Sequence, residues 1–271
     1  MSDRYCVFGN PVGHSKSPAI HAAFARQTGQ DMAYEAILAP LGKFTETVQA
    51  FIKAGGRGAN VTVPFKEEAF HLCTRRTPRA ELAGAVNTLS FDDTGIIGDN
   101  TDGAGLLRDI TLNLGCPIEG RRVLLLGAGG AARGALGPLL DARPAELVIA
   151  NRTTARAVQL ATHFSTLGAV TGCAYPALAG RTFDLIINAT SASLGGELPP
   201  LPAGIFAPGS LAYDMMYSQR DTPFMSFARQ QGAAQVADGL GMLVEQAAEA
   251  FFVWRGIRPD GAPVMAQLRD A

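Results

Sequence analysis

Gly127-Ala128-Gly129-Gly130-Ala131-Ala132 follows the apolar run Arg122-Val123-Leu124-Leu125-Leu126 and precedes a stretch with helical patterning. Side chains this small let a backbone approach a pyrophosphate, and the amides and dipole of a helix start stabilise its negative charge. A glycine turn that only packs a helix tightly is the alternative reading. About twenty residues on, where an NAD-binding strand ends in an acid that holds the ribose hydroxyls, the sequence has Asn151-Arg152-Thr153, with Arg156 one helical turn further along the same face. A guanidinium pairs with a 2′-phosphate and Thr153 adds a hydroxyl, so the segment favours NADP over NAD. Two solvated surface arginines are the plainer alternative.

A second group of polar residues lies near the N-terminus. Gly9-Asn10-Pro11-Val12-Gly13-His14-Ser15-Lys16-Ser17-Pro18 joins a strand to a helix whose first position suits proline, with Ser17 placed as the N-cap. Ser15 and Ser17 beside free helix amides can bind a small carboxylate or simply cap the helix. His14 reads as a hydrogen-bonding loop residue. In Asn60-Val61-Thr62-Val63-Pro64-Phe65-Lys66, Asn60 and Thr62 share one strand face and a lysine follows just past a proline. Asn87 starts another strand and Asp102 a helix; each also serves as a turn or cap residue. Together they could form a polar site at the ends of parallel strands, facing a cofactor across a cleft between domains.

The elements that must position these groups alternate between short apolar runs and amphipathic stretches. Tyr5 to Gly9, Tyr34 to Leu38, Gly58 to Val63 and Val86 to Phe91 read as strands, and residues 18 to 28 and 43 to 54 as helices. That alternation predicts an α/β fold with a mainly parallel sheet. A helix from Thr101 to about Leu114 crosses into a second, doubly wound unit whose strands are Arg122 to Leu126, Leu147 to Ala150, Leu185 to Asn188, Leu211 to Asp214 and Ala234 to Ala237. Gly239-Leu240-Gly241 opens a long apolar helix, followed by a short final one, both expected to pack back on the first domain. The predicted domains are residues 1–104 plus 239–271 for substrate and catalysis, and 105–238 as a Rossmann-type NADP-binding domain. Such an arrangement predicts closure on ligand binding.

Composition removes other classes. A net charge of -1 leaves no global field to draw a nucleic-acid backbone or an anionic membrane, so an anionic ligand must be held by local groups. Cys6, Cys73, Cys116 and Cys173 form neither a C-x-x-C pair nor a metal-ligand spacing with the histidines, so no metal is expected. No N-terminal leader pattern or membrane-length apolar run occurs, and the reading is a soluble cytoplasmic protein, monomer or homodimer, with a small-molecule substrate.

These segments resemble the shikimate dehydrogenase family along the whole chain. The resemblance rests on the Gly-Asn-Pro-Val-x-His-Ser-x-Ser-Pro segment, Asn60 to Lys66, Gly84-Ala85-Val86-Asn87-Thr88, Asn100-Thr101-Asp102-Gly103 and the glycine-rich loop. It continues through Asn151-Arg152-Thr153, Asn188-Ala189-Thr190-Ser191, Tyr213-Asp214-Met215-Met216-Tyr217 and Asp238-Gly239-Leu240-Gly241-Met242-Leu243-Val244-x-Gln246. It implies NADP-dependent, reversible reduction of 3-dehydroshikimate to shikimate, on the route to chorismate and the aromatic amino acids. Ser15 and Ser17 would bind the substrate carboxylate, with Tyr217 nearby. Thr62, Lys66, Asn87, Asp102 and Gln246 would hold the ring hydroxyls, Lys66 and Asp102 being the catalytic pair. Gly127, Gly129, Gly130 and Ala131 would meet the pyrophosphate; Asn151, Arg152, Thr153 and Arg156 would surround the 2′-phosphate. Thr190 and Ser191 would line the cofactor cleft, and Met215, Gly239 and Met242 would flank the nicotinamide. A quinate/shikimate dehydrogenase using NAD is the nearest rival, which the missing acid near Asn151 disfavours. A nicotinamide-binding sensor without turnover is the rival from another class, and the presence of both Lys66 and Asp102 speaks against it.

Overall fold

The computed structural model describes residues 2–190, 192 and 197–270. The chain divides into two compact units, Met1–Gly105 with Val244–Ala271, and Leu106–Leu243.

The first unit opens with β1 (Asp3–Gly9), α1 (Ser17–Thr28), β2 (Met32–Leu38), α2 (Phe44–Lys53), β3 (Gly56–Val61) and α3 (Lys66–Leu72). The short β4 (Arg75–Arg76) and α4 (Pro78–Ala83) follow, then β5 (Thr88–Asp92) and β6 (Gly95–Asp99). They build one sheet in the order β2-β1-β3-β5-β6-β4. β1 runs parallel to β2 and β3, and β4 to β6, while β5 is antiparallel to both β3 and β6. The sheet is thus parallel on one side and finished by a β5–β6 hairpin that sequence patterning did not reveal. Gly95 and Gly98 dilute the apolar signal there, and Gly98 leaves no room for a Cβ, which would lie 2.4 Å from Cys73 Sγ. Phe8, Phe44 and Phe65 are fully or almost fully buried, with Phe65 stacked on Phe44 at 4.9 Å. Burying each such ring contributes about 2–3 kcal/mol. Phe65 therefore anchors the turn that delivers Lys66, the first residue of α3.

From the first unit, α5 (Asp102–Arg108) leads into a π-helical turn at Asp109–Asn113. The single helix expected over residues 101–114 is interrupted because Asp109 is drawn inward: its carboxylate accepts from Tyr213 Oη at 2.7 Å and Asn113 Nδ2 at 2.9 Å. The second unit then runs β7 (Arg122–Leu126), α6 (Gly130–Asp141), β8 (Glu146–Ala150), α7 (Thr154–Phe164), β9 (Val170–Cys173), β10 (Phe183–Asn188), β11 (Phe206–Asp214), α8 (Pro223–Gln230) and β12 (Gln235–Ala237). Its sheet order is β12-β11-β10-β7-β8-β9 and every pair is parallel. Renumbered within the unit this is 3-2-1-4-5-6, the doubly wound order in which the chain reverses direction between β7 and β10. The last helices are α9 (Leu240–Arg255) and α10 (Ala262–Arg269). Residues from Val244 onward belong to the first unit.

Candidate active site

Lys66 and Asp102 meet in the first unit, with Nζ 2.5 Å from Asp102 Oδ2. Three backbone ties hold the segments that carry them. Thr62 N–H donates to Phe8 O at 2.9 Å, Asn10 N–H to Val63 O at 3.0 Å, and Val86 N–H to Lys66 O at 2.9 Å. β3 ends at Val61, two residues earlier than its patterning suggested, because Pro64 has no N–H to continue a ladder and Phe65 N–H turns back onto Thr62 O. Asn60 is accordingly buried inside the strand, whereas Thr62 lies beyond it, half-buried beside Gly9.

Asn87 completes the cluster. Its Nδ2 donates to Asp102 Oδ1 at 2.9 Å, and a longer 3.4 Å contact reaches Gln246 Oε1. Both oxygens of Asp102 thus accept a hydrogen bond, one from an amide and one from an ammonium. Asp102 N–H is held by Asn100 Oδ1 at 3.1 Å, and Asn100 in turn donates to Ala85 O. Gly105 lets α9 approach: a Cβ there would lie 2.5 Å from Gln246 N. Thr62, Lys66, Asn87, Asp102 and Gln246 therefore share one unit, and four of the five are linked by direct hydrogen bonds.

At the start of α1 the capping expectation is corrected. Lys16, not Ser17, occupies the N-cap position, and its side chain makes no capping bond. Ser17 is the first helical residue, and its N–H donates to Ser15 Oγ at 3.3 Å. The proline at the second position supplies no donor, so the serine pair itself forms the polar edge of this helix start. His14 is exposed. Tyr217 belongs to the second unit and is exposed.

In the second unit the glycine-rich loop lies at the topological switch point. Gly127 has φ +103, and a Cβ on it would lie 3.1 Å from Ala189 O. The positive φ favours glycine there, and a Cβ would also press on the Ala189 carbonyl. Around Gly129 and Gly130 a Cβ would meet nothing within 4 Å, and α6 begins at Gly130 with no side-chain cap and no acidic residue in its first turn. Open space, unused helix amides and a positive dipole end fit a diphosphate. Ala131 lies in that first turn, and Ala189 N–H, donating to Leu126 O at 2.9 Å, brings Thr190 beside Gly127. Thr190 Oγ1 donates to Asn188 Oδ1 at 2.7 Å. Ser191 lies outside the described residues.

At the end of β8, Asn151 N–H donates to Cys173 O and its Nδ2 to Thr153 O. Arg152 precedes α7 rather than sharing a helical face with Arg156; the tie from Arg156 N–H to Thr153 O forms the intervening turn. Both arginines are exposed, and neither enters an ion pair among the described residues. The Thr153 side chain makes no capping bond. Two uncommitted guanidiniums, an amide and a hydroxyl with no carboxylate in the segment fit a 2′-phosphate.

Met215, Gly239 and Met242 also come together. A Cβ on Gly239 would sit 2.2 Å from Met215 O, and Met242 N–H donates to Tyr213 Oη at 3.3 Å. Behind them stand residues that spacing did not single out. The Asp109 carboxylate pairs with Tyr213 Oη and presses on Gly241, where a Cβ would lie 2.0 Å away. Asp214, fully buried, accepts from Thr222 Oγ1 at 2.6 Å and Asn188 Nδ2 at 3.3 Å. The sequence signal for them was an acid at the end of an otherwise apolar strand and another inside a helix.

Comparison with known proteins decides the family. Residues 7–89 match the shikimate dehydrogenase substrate binding domain, residues 111–194 the shikimate / quinate 5-dehydrogenase model, and residues 239–269 the shikimate 5′-dehydrogenase C-terminal domain. The chain belongs to the shikimate dehydrogenase family. It is similar to the shikimate dehydrogenase (NADP+) of Dechloromonas aromatica, at 65% identity over 99% of this chain and 98% of that one. That of Nitrosospira multiformis is 64% identical over 100% and 98%. Among solved structures, an Ael1 enzyme from Pseudomonas putida has TM-score 0.93 at 53% identity, covering 98% of each chain. Shikimate 5-dehydrogenase from Thermus thermophilus, in complex with NADP(H) and shikimate, has TM-score 0.87 at 34% identity, covering 99% of each. The two-unit α/β fold and the NADP-dependent oxidoreductase class are those of the family. No described helix is long and apolar enough to cross a membrane, and no metal-binding cluster of His, Cys, Asp or Glu occurs among the described residues.

Proposed function

We propose that this chain catalyses the reversible, NADP-dependent reduction of 3-dehydroshikimate to shikimate, with Lys66 and Asp102 as the proton-transfer pair. The observation that carries the reading is the 2.5 Å Lys66–Asp102 contact inside a polar cluster of Asn87 and Gln246, at 65% identity to an NADP-dependent shikimate dehydrogenase. NADPH supplies the hydride for the ring carbonyl carbon. Lys66 hydrogen-bonds the carbonyl oxygen and delivers the proton that completes the alcohol, taking it back in the oxidative direction. Asp102 holds the ammonium in place and is itself held by Asn87. Ser15 and Ser17 bind the substrate carboxylate, Tyr217 is a further substrate-binding residue, and Thr62, Asn87 and Gln246 hold the ring hydroxyls.

Gly127, Gly129, Gly130 and Ala131 cradle the diphosphate; Asn151, Arg152, Thr153 and Arg156 take the 2′-phosphate; Thr190 and Ser191 line the cofactor site. Met215, Gly239 and Met242 flank the nicotinamide. On this reading residues 1–104 with 239–271 form the substrate domain and 105–238 the cofactor domain. The setting is the cytoplasm, as a monomer or homodimer. Lys66→Ala and Asp102→Asn test the pair: kcat is expected to fall by about 10²–10⁴-fold, the range for a lost general acid–base group, with KM for shikimate changing far less. Intact turnover in both variants would overturn the assignment.

A further inference from the structure

Beneath the Lys66–Asp102 pair, the first unit carries buried hydrogen bonds that the reaction scheme leaves unused. Asn87 Oδ1 accepts from Thr101 N–H at 2.8 Å, from Thr88 Oγ1 at 2.9 Å and from Thr101 Oγ1 at 3.1 Å. A backbone N–H can only donate, so the oxygen of the Asn87 amide must face Thr101 and its nitrogen must face Asp102. Asn60 is fixed by the same logic in reverse. Its Nδ2 lies 3.2 Å from Asn87 O, a backbone carbonyl that can only accept, and 3.2 Å from Thr88 Oγ1. Asn60 Oδ1 then accepts from Tyr34 Oη at 2.7 Å. Tyr34 is half-buried with its hydroxyl turned inward, near the Ser17 side chain. Burial holds the Tyr34 phenol well above its ordinary titration range, which keeps it a donor.

We infer that Tyr34, Asn60 and Thr88 are positioning residues, a buried donor-to-acceptor relay from the Ser17 end of the site that, together with the Thr101 N–H, holds the Asn87 amide so that its nitrogen serves Asp102. Every link points one way: Tyr34 to Asn60, Asn60 to Thr88, Thr88 to Asn87, Asn87 to Asp102. Thr88 is fully buried and Asn60 nearly so, so water cannot replace a missing partner without entering the core. If the amide were free to reverse, its carbonyl oxygen would face the Asp102 carboxylate, two acceptors in contact, and the anchor of Lys66 would be lost. The relay reaches Lys66 only through Asn87 and Asp102, because none of its three members is hydrogen-bonded to Lys66.

The inference rests on the assignment of Lys66 and Asp102 as the reacting pair, and the experiment separates the two. Steady-state kinetics with shikimate and NADP+ are measured for Thr88→Val, Thr88→Ser, Tyr34→Phe and Lys66→Ala, alongside thermal unfolding of each. Thr88→Val and Tyr34→Phe are expected to lower kcat by about tenfold, as for one hydrogen bond lost from a buried network, with KM for shikimate within about threefold. Thr88→Ser, which keeps the hydroxyl, restores kcat. If Thr88→Val does not fold, Tyr34→Phe, at a half-buried position, carries the same test. Wild-type kcat in folded Tyr34→Phe and Thr88→Val, or failure of Thr88→Ser to rescue, overturns the relay. In that outcome loss of turnover in Lys66→Ala leaves the reacting pair standing, whereas retained turnover in Lys66→Ala overturns both.

Discussion

Arg152 and Arg156 stand where an NAD-preferring strand would end in a carboxylate, and neither is committed to an ion pair among the described residues. Replacing either by Ala should raise KM for NADP+ by about tenfold or more, the cost of a charge-assisted hydrogen bond, and leave KM for NAD+ nearly unchanged. Equal effects on both cofactors would remove the arginines from the 2′-phosphate site. His21 presents a different kind of residue. It is fully buried, stacked on Tyr34 at 4.2 Å, and its ring nitrogens have no hydrogen-bond partner among the described residues. Burial pushes its pKa down to about 3, only weakly opposed by nearby Asn60. An unfolded histidine titrates near about 6.5, so the unfolded chain binds a proton that the folded one refuses. The stability from keeping this ring neutral is complete above that value and is lost as pH falls from it toward 3. Denaturant unfolding at a series of pH values should therefore show a shallower acid decline in His21→Phe than in the parent; identical slopes would contradict it.

The strand–loop–helix unit β7–Gly127–α6 was legible because its strand is a continuous apolar run and its glycines have a physical need. Gly127→Ala tests that need. A Cβ at φ +103 and 3.1 Å from Ala189 O should cost about 1–3 kcal/mol and weaken NADP+ binding, as thermal unfolding and cofactor titration would show; unchanged stability and affinity would contradict it. Other elements left little trace. β9 is four residues long and holds Gly172, whose missing Cβ would lie 2.4 Å from the Ala157 backbone of α7. Its glycine answers a helix packed across it, a contact invisible in local sequence. The π-turn at Asp109 has the same kind of cause, a contact with Tyr213, 104 positions away. The site followed this pattern. Lys66, Asn87 and Asp102 stood out as polar residues at element ends, whereas the Thr88 and Asn60 amide locks depend on register between β3 and β5.

At the scale of the whole molecule, each unit has its own buried core, one centred on Phe8, Phe44 and Phe65 and the other on Leu124, Val148, Phe183 and Ile186. On the proposed reading each also holds one half of the chemistry: the polar cluster around Lys66 and Asp102 in one, and the glycine-rich loop and basic segment that suit a phosphorylated dinucleotide in the other. Two chain crossings, near Gly105 and near Val244, divide the work. The proposed activity pairs one substrate with one cofactor. The direct test is the initial rate of nicotinamide reduction by the purified protein with shikimate or quinate, each with NADP+ or NAD+. A rate concentrated in shikimate with NADP+ is the predicted result. Comparable rates on quinate with NAD+, or no rate in any combination while NADP+ still binds, would contradict it.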